Sequence, residues 1–163
     1  MWNYAFIDGQ NLHLGVMADG WDIDLSKFMI YLRNKYRVTK AFYYIGFQDP
    51  KNNQLYNDIQ NAWFTLVFKK QTVQALSNKK WNIDSDMIFE IMRLLLKEPD
   101  KFEKIVLVTW DGDFKILVDF LLQENRFMKI LFPNKRRASS IYKKMHPKYY
   151  DRMIELKSKI QKI

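Results

Sequence analysis

The stretch from Ile105 to Phe114 constrains this chain more than any other part of its sequence. Four apolar residues, Ile105–Val108, lead into a turn that carries two carboxylates, Asp111 and Asp113. A continuous apolar run of this length is typical of a parallel strand that is buried on both faces. Apolar residues at helical spacing follow at once, so the two carboxylates are predicted at the carboxyl end of a buried strand.

A further carboxylate follows the first predicted strand. Residues 2–7 are predicted to be extended, and Asp8 comes next, with Asn11 one turn later. In open parallel sheets, ligands bind beyond the carboxyl ends of the strands, where the strand order reverses. If the strands before Asp8 and Asp111 are neighbours there, Asp8, Asp111 and Asp113 converge. Carboxylates are the hard ligands that Mg²⁺ and Mn²⁺ prefer, and we expect the Asn11 amide to hold a bound water or a phosphate.

Strand and helix patterns alternate along the rest of the chain, which predicts an α/β fold with helices flanking a parallel sheet. The second helix is predicted to extend through Leu66. Strands are predicted at 2–7, 38–45, 72–76, 104–110 and 127–132, and helices are predicted from Asp24, from Asp49-Pro50, from Asp84 or Ser85, from Asp113, and from Ser139 with a break near Pro147.

A third acidic cluster lies at the predicted start of the third helix. Asp84 and Asp86 fall in its first turn and Glu90 falls one turn later. From there, Asp84 and Asp86 are candidates to point over the end of the sheet as metal ligands. Taken alone, Asp84 is better explained as a helix cap, and each Asp-Gly pair in the sequence as a turn.

Charge is distributed unevenly along the 163 residues. The formal net charge is +9, and residues 134–163 contribute ten basic and two acidic side chains. A basic segment beside a carboxylate site suits a polyanion, because the bases attract it while the acids hold metal; a solvated basic helix is the alternative. Lys135, Arg136 and Arg137 follow the fifth strand and are the predicted phosphate contacts. Trp110 is a candidate for base stacking and Thr109 for a hydrogen bond near the phosphate.

Several protein classes are excluded by what the sequence lacks. It has no cysteine, which removes thiol nucleophiles, disulfide scaffolds and zinc ribbons. It has neither a glycine-rich phosphate loop nor a serine-hydrolase elbow, so no nucleotide cofactor is expected. Without a signal peptide or an apolar run of about 20 residues, we expect a soluble cytoplasmic protein that does not bind membranes.

These motifs together resemble the NYN domain of the PIN-like nuclease superfamily, including its LabA-like bacterial members. Asp8–Asn11 resembles the first motif of that family, and Thr109–Phe114 resembles its strand-four motif, usually Ser-Gly-Asp-Gly-Asp-Phe. Ile83–Asp86 is similar to the Val-Asp-Val opening of a helix in the family. The resemblance spans residues 3–156, and it departs from the family at Trp110, where a small residue is usual, and at Trp81-Asn82, where glycine is common.

The resemblance implies a three-layer PIN-like (Rossmannoid) fold with a five-stranded parallel sheet in the order 3-2-1-4-5. It implies one domain over residues 1–163, with a basic helical segment at 134–163. The implied activity is a metal-dependent endoribonuclease, in which Mg²⁺ or Mn²⁺ activates a water that hydrolyses RNA. The implied catalytic residues are Asp8, Asn11, Asp84, Asp111 and Asp113, and the metal ligands are Asp8, Asp84, Asp86, Asp111 and Asp113. The candidate nucleic-acid contacts come from charge and position in the sequence, not from the resemblance, and are Lys135, Arg136, Arg137, Thr109 and Trp110.

Two other functions stay open. An inactive PIN-like module that only binds RNA is disfavoured, because uncompensated carboxylates weaken phosphate binding in the absence of metal. A haloacid-dehalogenase-like phosphatase also places Asp-x-Asp after an apolar strand, but after the first strand, where Gln10 breaks the pair here. The sequence decides neither RNA against DNA nor whether the protein is a homodimer.

Overall fold

A parallel sheet of six strands forms the centre of the computed structural model, which describes residues 1–69, 83–134 and 136–163. All its neighbouring strands pair in parallel, in the order β3-β2-β1-β4-β5-β6. The predicted α/β fold and the order 3-2-1-4-5 are confirmed, with one further strand at the edge. The strands are β1 (Asn3–Asp8), β2 (Val38–Ile45), β3 (Thr65–Phe68), β4 (Ile105–Val108), β5 (Phe127–Phe132) and β6 (Tyr150–Arg152).

Helices cover both faces of this sheet. Because side chains alternate along a strand, Val106 packs on one face while Leu107 packs on the other. The first face meets α1, α2, α3 and α6, and the second meets α4 and α5. These helices are α1 (Gly9–Ala18), α2 (Leu25–Tyr36), α3 (Asn53–Asn61), α4 (Ile83–Lys97), α5 (Lys115–Gln123) and α6 (Met153–Ile160). Across the described ranges, no helix has both the length and the apolar character that a bilayer crossing needs.

Helix α1 was not predicted from the sequence. Its buried face is narrow, with Leu12 and Val16 in the core, whereas Leu14 and Met17 are exposed. Apolar residues on the outer side blur the helical period from which an amphipathic helix is recognised.

The predicted extent of the second helix is wrong. The helix α3 ends at Asn61, and Trp63 takes a left-handed backbone conformation with φ of 69° that turns the chain back. Leu66, which fits the helical spacing by coincidence, belongs to β3 and pairs with Tyr43 of β2. The strand predicted at residues 72–76 lies outside the described residues.

The predicted helix from Ser139 is also wrong for most of its length. Short 3₁₀ helices form at Ser140–Tyr142 and Pro147–Tyr149, the chain then adds β6 to the sheet edge, and only α6 is α-helical. The strand β6 has three half-buried residues, so it shows no alternation that a local pattern could reveal. Its position depends on pairing with β5, for example Ile130 with Tyr150.

Candidate active site

The strand order reverses between β1 and β4, as the site prediction required. These two strands are parallel neighbours, with Ile7 beside Val108. β2 and β3 lie on one side of this pair, and β5 and β6 lie on the other. Asp8 ends β1, and Asp111 follows β4 by three residues. The acidic residues of both strands are therefore delivered to the crevice where open α/β sheets bind ligands.

Three carboxylates come together at this crevice and form what we call the acidic group: Asp84, Asp111 and Asp113. Each offers one carboxylate oxygen, and these oxygens lie within 4.8 Å of one another. Asp84 is buried in the first turn of α4, Asp111 is half-buried and Asp113 is exposed. Asp111 caps a 3₁₀ helix by accepting a hydrogen bond from the Asp113 N–H at 2.9 Å. Three hard oxygen donors at this separation match the preference of Mg²⁺ or Mn²⁺.

Asp8 lies beside the acidic group rather than within it. Its side chain is only 4% exposed, and one carboxylate oxygen caps α1 by accepting the Asn11 N–H at 3.1 Å. Burial raises the pKa of Asp8 to about 6; the charge of Asp111 adds to this rise, while the Asn11 hydrogen bond opposes it. Asp8 is thus both a helix cap and a part of the same electrostatic cluster.

The electrostatics of Asp84 show how much negative charge this crevice collects. Burial, followed by the charges of Asp111 and Asp8, raises the pKa of Asp84 to about 7. Carboxylates that repel one another in a partly dry site favour the protonated form. A bound cation would remove that repulsion.

Asn11 joins the first turn of α1 to the loop that carries Asp111. Its amide oxygen accepts hydrogen bonds from the Thr109 hydroxyl and from the Trp110 N–H, both at 3.0 Å. The Thr109 oxygen in turn accepts the Asp111 N–H at 3.1 Å. Thr109 is fully buried, so it positions Asp111 and offers no exposed surface for the predicted contact with nucleic acid.

Asp86 and Glu90 point away from the acidic group. Both line a separate cavity of about 520 Å³ between α4 and the β2–β3 edge, together with Tyr44. Glu90 forms an ion pair with Arg93 at 2.6 Å. The structure therefore brings Asp84 into the acidic group but not Asp86, because residues two apart on a helix face different directions.

Trp110 fits at this crevice because Gly15 of α1 makes room for it. A Cβ atom at position 15 would lie 2.8 Å from the Trp110 ring and 2.6 Å from Pro133. The Arg137 guanidinium lies 5.8 Å from the centre of the Trp110 ring, within cation–π range. The family departure at Trp110 is thus accommodated by a close approach of α1, and the ring stays half-exposed at the rim.

The basic loop, Arg136 and Arg137, is held by Asn134, which the sequence analysis missed. The Asn134 side-chain oxygen accepts both arginine N–H groups at 2.9 Å. Its amide donates to the Gly15 carbonyl of α1 at 3.2 Å. Both arginine side chains are exposed, while the predicted contact Lys135 lies outside the described residues. The turn chemistry of a Pro-Asn pair after a strand was the available signal for Asn134.

Tyr142 is a second missed residue. It is 3% exposed, and its hydroxyl donates to the Asp111 carbonyl at 2.6 Å. Ser139, from the same segment, lies close to Gly112, where an added Cβ would meet its hydroxyl at 2.6 Å. The segment after β5 therefore packs against the loop of Asp111 and holds it in place. No local pattern in the sequence signals this contact.

The family model of the NYN domain matches residues 4–151, so this chain belongs to the NYN domain family, a family of PIN-like nucleases. A curated relative is the low amplitude and bright protein LabA of Synechococcus elongatus, 24% identical over 121 residues. That match covers 71% of this chain and 65% of LabA, so the chain spans slightly less than two thirds of that relative.

A solved structure shares the fold. It is a protein of unknown function, VPA0982, from Vibrio parahaemolyticus, with a TM-score of 0.73 and 20% identity. The likeness covers 93% of this chain and 91% of that one. At this identity it supports the three-layer architecture and carries no argument about activity.

Proposed function

We propose that this protein is a divalent-metal-dependent endoribonuclease that hydrolyses RNA phosphodiester bonds with Mg²⁺ or Mn²⁺. One observation carries the proposal: in a chain of the NYN family, three carboxylates from two distant segments meet within 4.8 Å at the point where the strand order reverses. Such a concentration of repelling charge costs stability, and binding of a cation explains why a fold would keep it.

Asp84, Asp111 and Asp113 are the residues that would hold the cation. Their oxygens are hard donors, and a bound cation would offset the charges of Asp111 and Asp8, which together with burial raise the pKa of Asp84. When bound, a divalent cation would neutralise these carboxylates and polarise the phosphate oxygens.

Asp8 is proposed to orient the attacking water and to accept its proton. Its carboxylate interacts electrostatically with Asp111, so it lies beside the proposed ligands, and a carboxylate in that position can accept a proton from a bound water. Asn11, Thr109 and Tyr142 act as positioning residues, because their hydrogen bonds hold the backbone of the Asp111 loop.

Arg136, Arg137 and Trp110 are proposed to contact the substrate. The two guanidinium groups are exposed at the rim of the crevice, where they would contact phosphates, and the Trp110 ring beside Arg137 offers a face to a base. Lys135 remains a predicted phosphate contact.

The proposal is tested by incubating labelled single-stranded and duplex RNA and DNA with Mn²⁺, Mg²⁺ or EDTA, beside a small phosphate ester. We expect internal cleavage of RNA that requires metal and that falls roughly a hundredfold or more in Asp111→Asn. Cleavage that survives EDTA or this substitution would contradict the proposal. Metal-dependent RNA binding without cleavage would favour a binding module, and turnover of the ester alone would favour a phosphatase.

A further inference from the structure

A groove of about 830 Å³ opens from the acidic group along the outside of α5. Gly112 and Asp113 form its near end, and Asp113 also belongs to the acidic group, so the two are continuous. One wall is the face of α5 that includes Ile116 and Asp119, and the other is the segment from Ile141 to Tyr149.

The groove exposes apolar surface that the core does not use. Ile116 is 84% exposed and Ile141 is 52% exposed, and both line it. The half-buried Tyr149 also lines it, with its ring 6.4 Å from that of His146 and 6.1 Å from that of Phe127, and with Lys148 over the ring at 4.7 Å. Apolar side chains and a ring in a groove beside polar groups form a surface on which a nucleobase can stack.

Positive charge lies on one wall only. On α5, Lys115 is neutralised by an ion pair with Asp119 at 2.5 Å. On the opposite wall, Lys144 is exposed and takes part in no ion pair among residues 1–69, 83–134 and 136–163. His146 accepts the Lys148 N–H through Nδ1 at 3.2 Å, which leaves Nε2 to donate to a ligand. An anion would therefore bind on the wall formed by Lys144 and His146.

The groove and the basic loop lie on opposite sides of the acidic group. Asn134 ties Arg136 and Arg137 to α1, on the first face of the sheet, whereas the groove follows α5 on the second. A strand that crosses the acidic group from the basic loop therefore continues into the groove.

We propose that this groove binds the nucleotide next to the scissile phosphate, with its base unpaired. The base lies against Ile116, Ile141 and Tyr149, and the adjoining phosphate meets Lys144 and His146. A base inside a duplex is already stacked and paired, so the substrate is single-stranded at this position. This inference rests on the proposed function and goes beyond it by assigning the path of the substrate along α5 and the residues that line it.

Binding of a fluorescent single-stranded RNA to the full chain tests the proposal, measured in Ca²⁺ at several salt concentrations. Lys144→Ala should weaken binding and lower the salt slope by about 0.7, whereas Lys143→Ala, its exposed neighbour outside the groove, should leave the slope unchanged. Ile116→Glu should weaken binding roughly tenfold by placing a carboxylate in the groove, whereas Ile30→Glu, at an exposed isoleucine of α2, should not. Both isoleucines are exposed, so folding should survive both changes.

A photoreactive 4-thiouridine next to the cleavage position provides an independent measurement. Cross-links should map to residues 141–149, and a duplex of the same sequence should bind at least tenfold more weakly. Cross-links confined to the Trp110 side, equal binding of the duplex, or unchanged binding in Lys144→Ala and Ile116→Glu would overturn the inference while cleavage persists. Failure of wild type both to bind and to cleave RNA would overturn the proposed function together with it.

Discussion

The acidic group and the basic C-terminal segment are both concentrations of charge, but they are built in opposite ways. The acidic group joins Asp84 to Asp111 and Asp113 across a sequence separation of more than 25 residues, with oxygens within 4.8 Å. The basic residues of 134–163 are close in sequence and spread out in the fold. Density of charge along a chain is therefore a poor measure of density of charge in space.

Contacts of the basic residues show this dispersal. Lys162 forms an ion pair with Asp22 at 2.9 Å, Lys159 lies 6.0 Å from the centre of the Tyr31 ring, and Lys148 lies 4.7 Å from that of Tyr149. α6 places Met153, Leu156 and Ile160 in the core, so this part of the segment belongs to the folded body. Among the described basic residues of this segment, Arg136, Arg137 and Lys144 are the ones that we propose as contacts for RNA.

The largest effect is expected from changing the acidic group itself. Asp84→Asn should lower cleavage of a labelled RNA in Mn²⁺ roughly a hundredfold or more, because it removes a proposed ligand. Asp86→Asn should lower the rate of cleavage much less, since Asp86 lines another cavity. Asp100→Asn, which removes an exposed charge elsewhere, serves as the control. A larger loss of cleavage in Asp86→Asn than in Asp84→Asn would mean that the face of α4 with Asp86, not the face with Asp84, serves the active site.

The second largest effect is expected from metal binding, which should stabilise the folded protein. At a Mn²⁺ concentration about a hundred times the dissociation constant, the free energy of unfolding should rise by about 3 kcal/mol. Asp111→Asn should lose most of this gain, yet be more stable than wild type without metal, because it relieves repulsion of Asp84. Thermal melts with Mn²⁺ and with EDTA measure both effects. A metal-free Asp111→Asn that melts below wild type and keeps the Mn²⁺ shift would identify Asp111 as a structural cap only.

The buried Asp8 should make the free energy of unfolding depend on pH in a way that an exposed carboxylate would not. Burial raises the pKa of Asp8 from 3.8 to about 6, so the folded state binds this proton more tightly than the unfolded state. The stabilisation that Asp8 gives to the folded state is therefore full below pH 4. It is lost as the pH rises through about 6, which lowers the free energy of unfolding by about 2–3 kcal/mol. Urea melts in EDTA from pH 4 to 7.5 should show this decline in wild type and less of it in Asp8→Asn. Parallel profiles for the two proteins would contradict the assignment.

Changing the basic loop is expected to give the smallest effect, and only on the binding of RNA. Changing Arg136 and Arg137 to Ala removes two proposed phosphate contacts and should flatten the salt dependence of RNA binding by about 1.4. The charge-matched pair Lys157→Ala with Lys159→Ala on α6 should leave the slope unchanged. Equal slopes in the two double variants would mean that the tail attracts RNA as a whole, as the sequence first suggested.

The sequence by itself determined the strands whose signal is local. β2 and β5 lie at their predicted boundaries, Val38–Ile45 and Phe127–Phe132, because a buried strand needs a run of apolar or β-branched residues whatever surrounds it. The same logic placed Asp8 and Asp111 at the ends of two strands, and the fold made those strands neighbours. The α/β class and the location of the candidate site followed from these runs.

The tertiary structure decided which groups meet there. Whether Asp84 or Asp86 faces the crevice depends on how α4 is rotated against the sheet, and that rotation is set by packing of Met87 and Ile91 in the core. The edge strand β6 and the Tyr142 hydrogen bond to the Asp111 loop depend on contacts between residues about 20 or more positions apart. A local pattern records the burial that a residue needs, whereas the partner that provides this burial is fixed only when distant segments pack together.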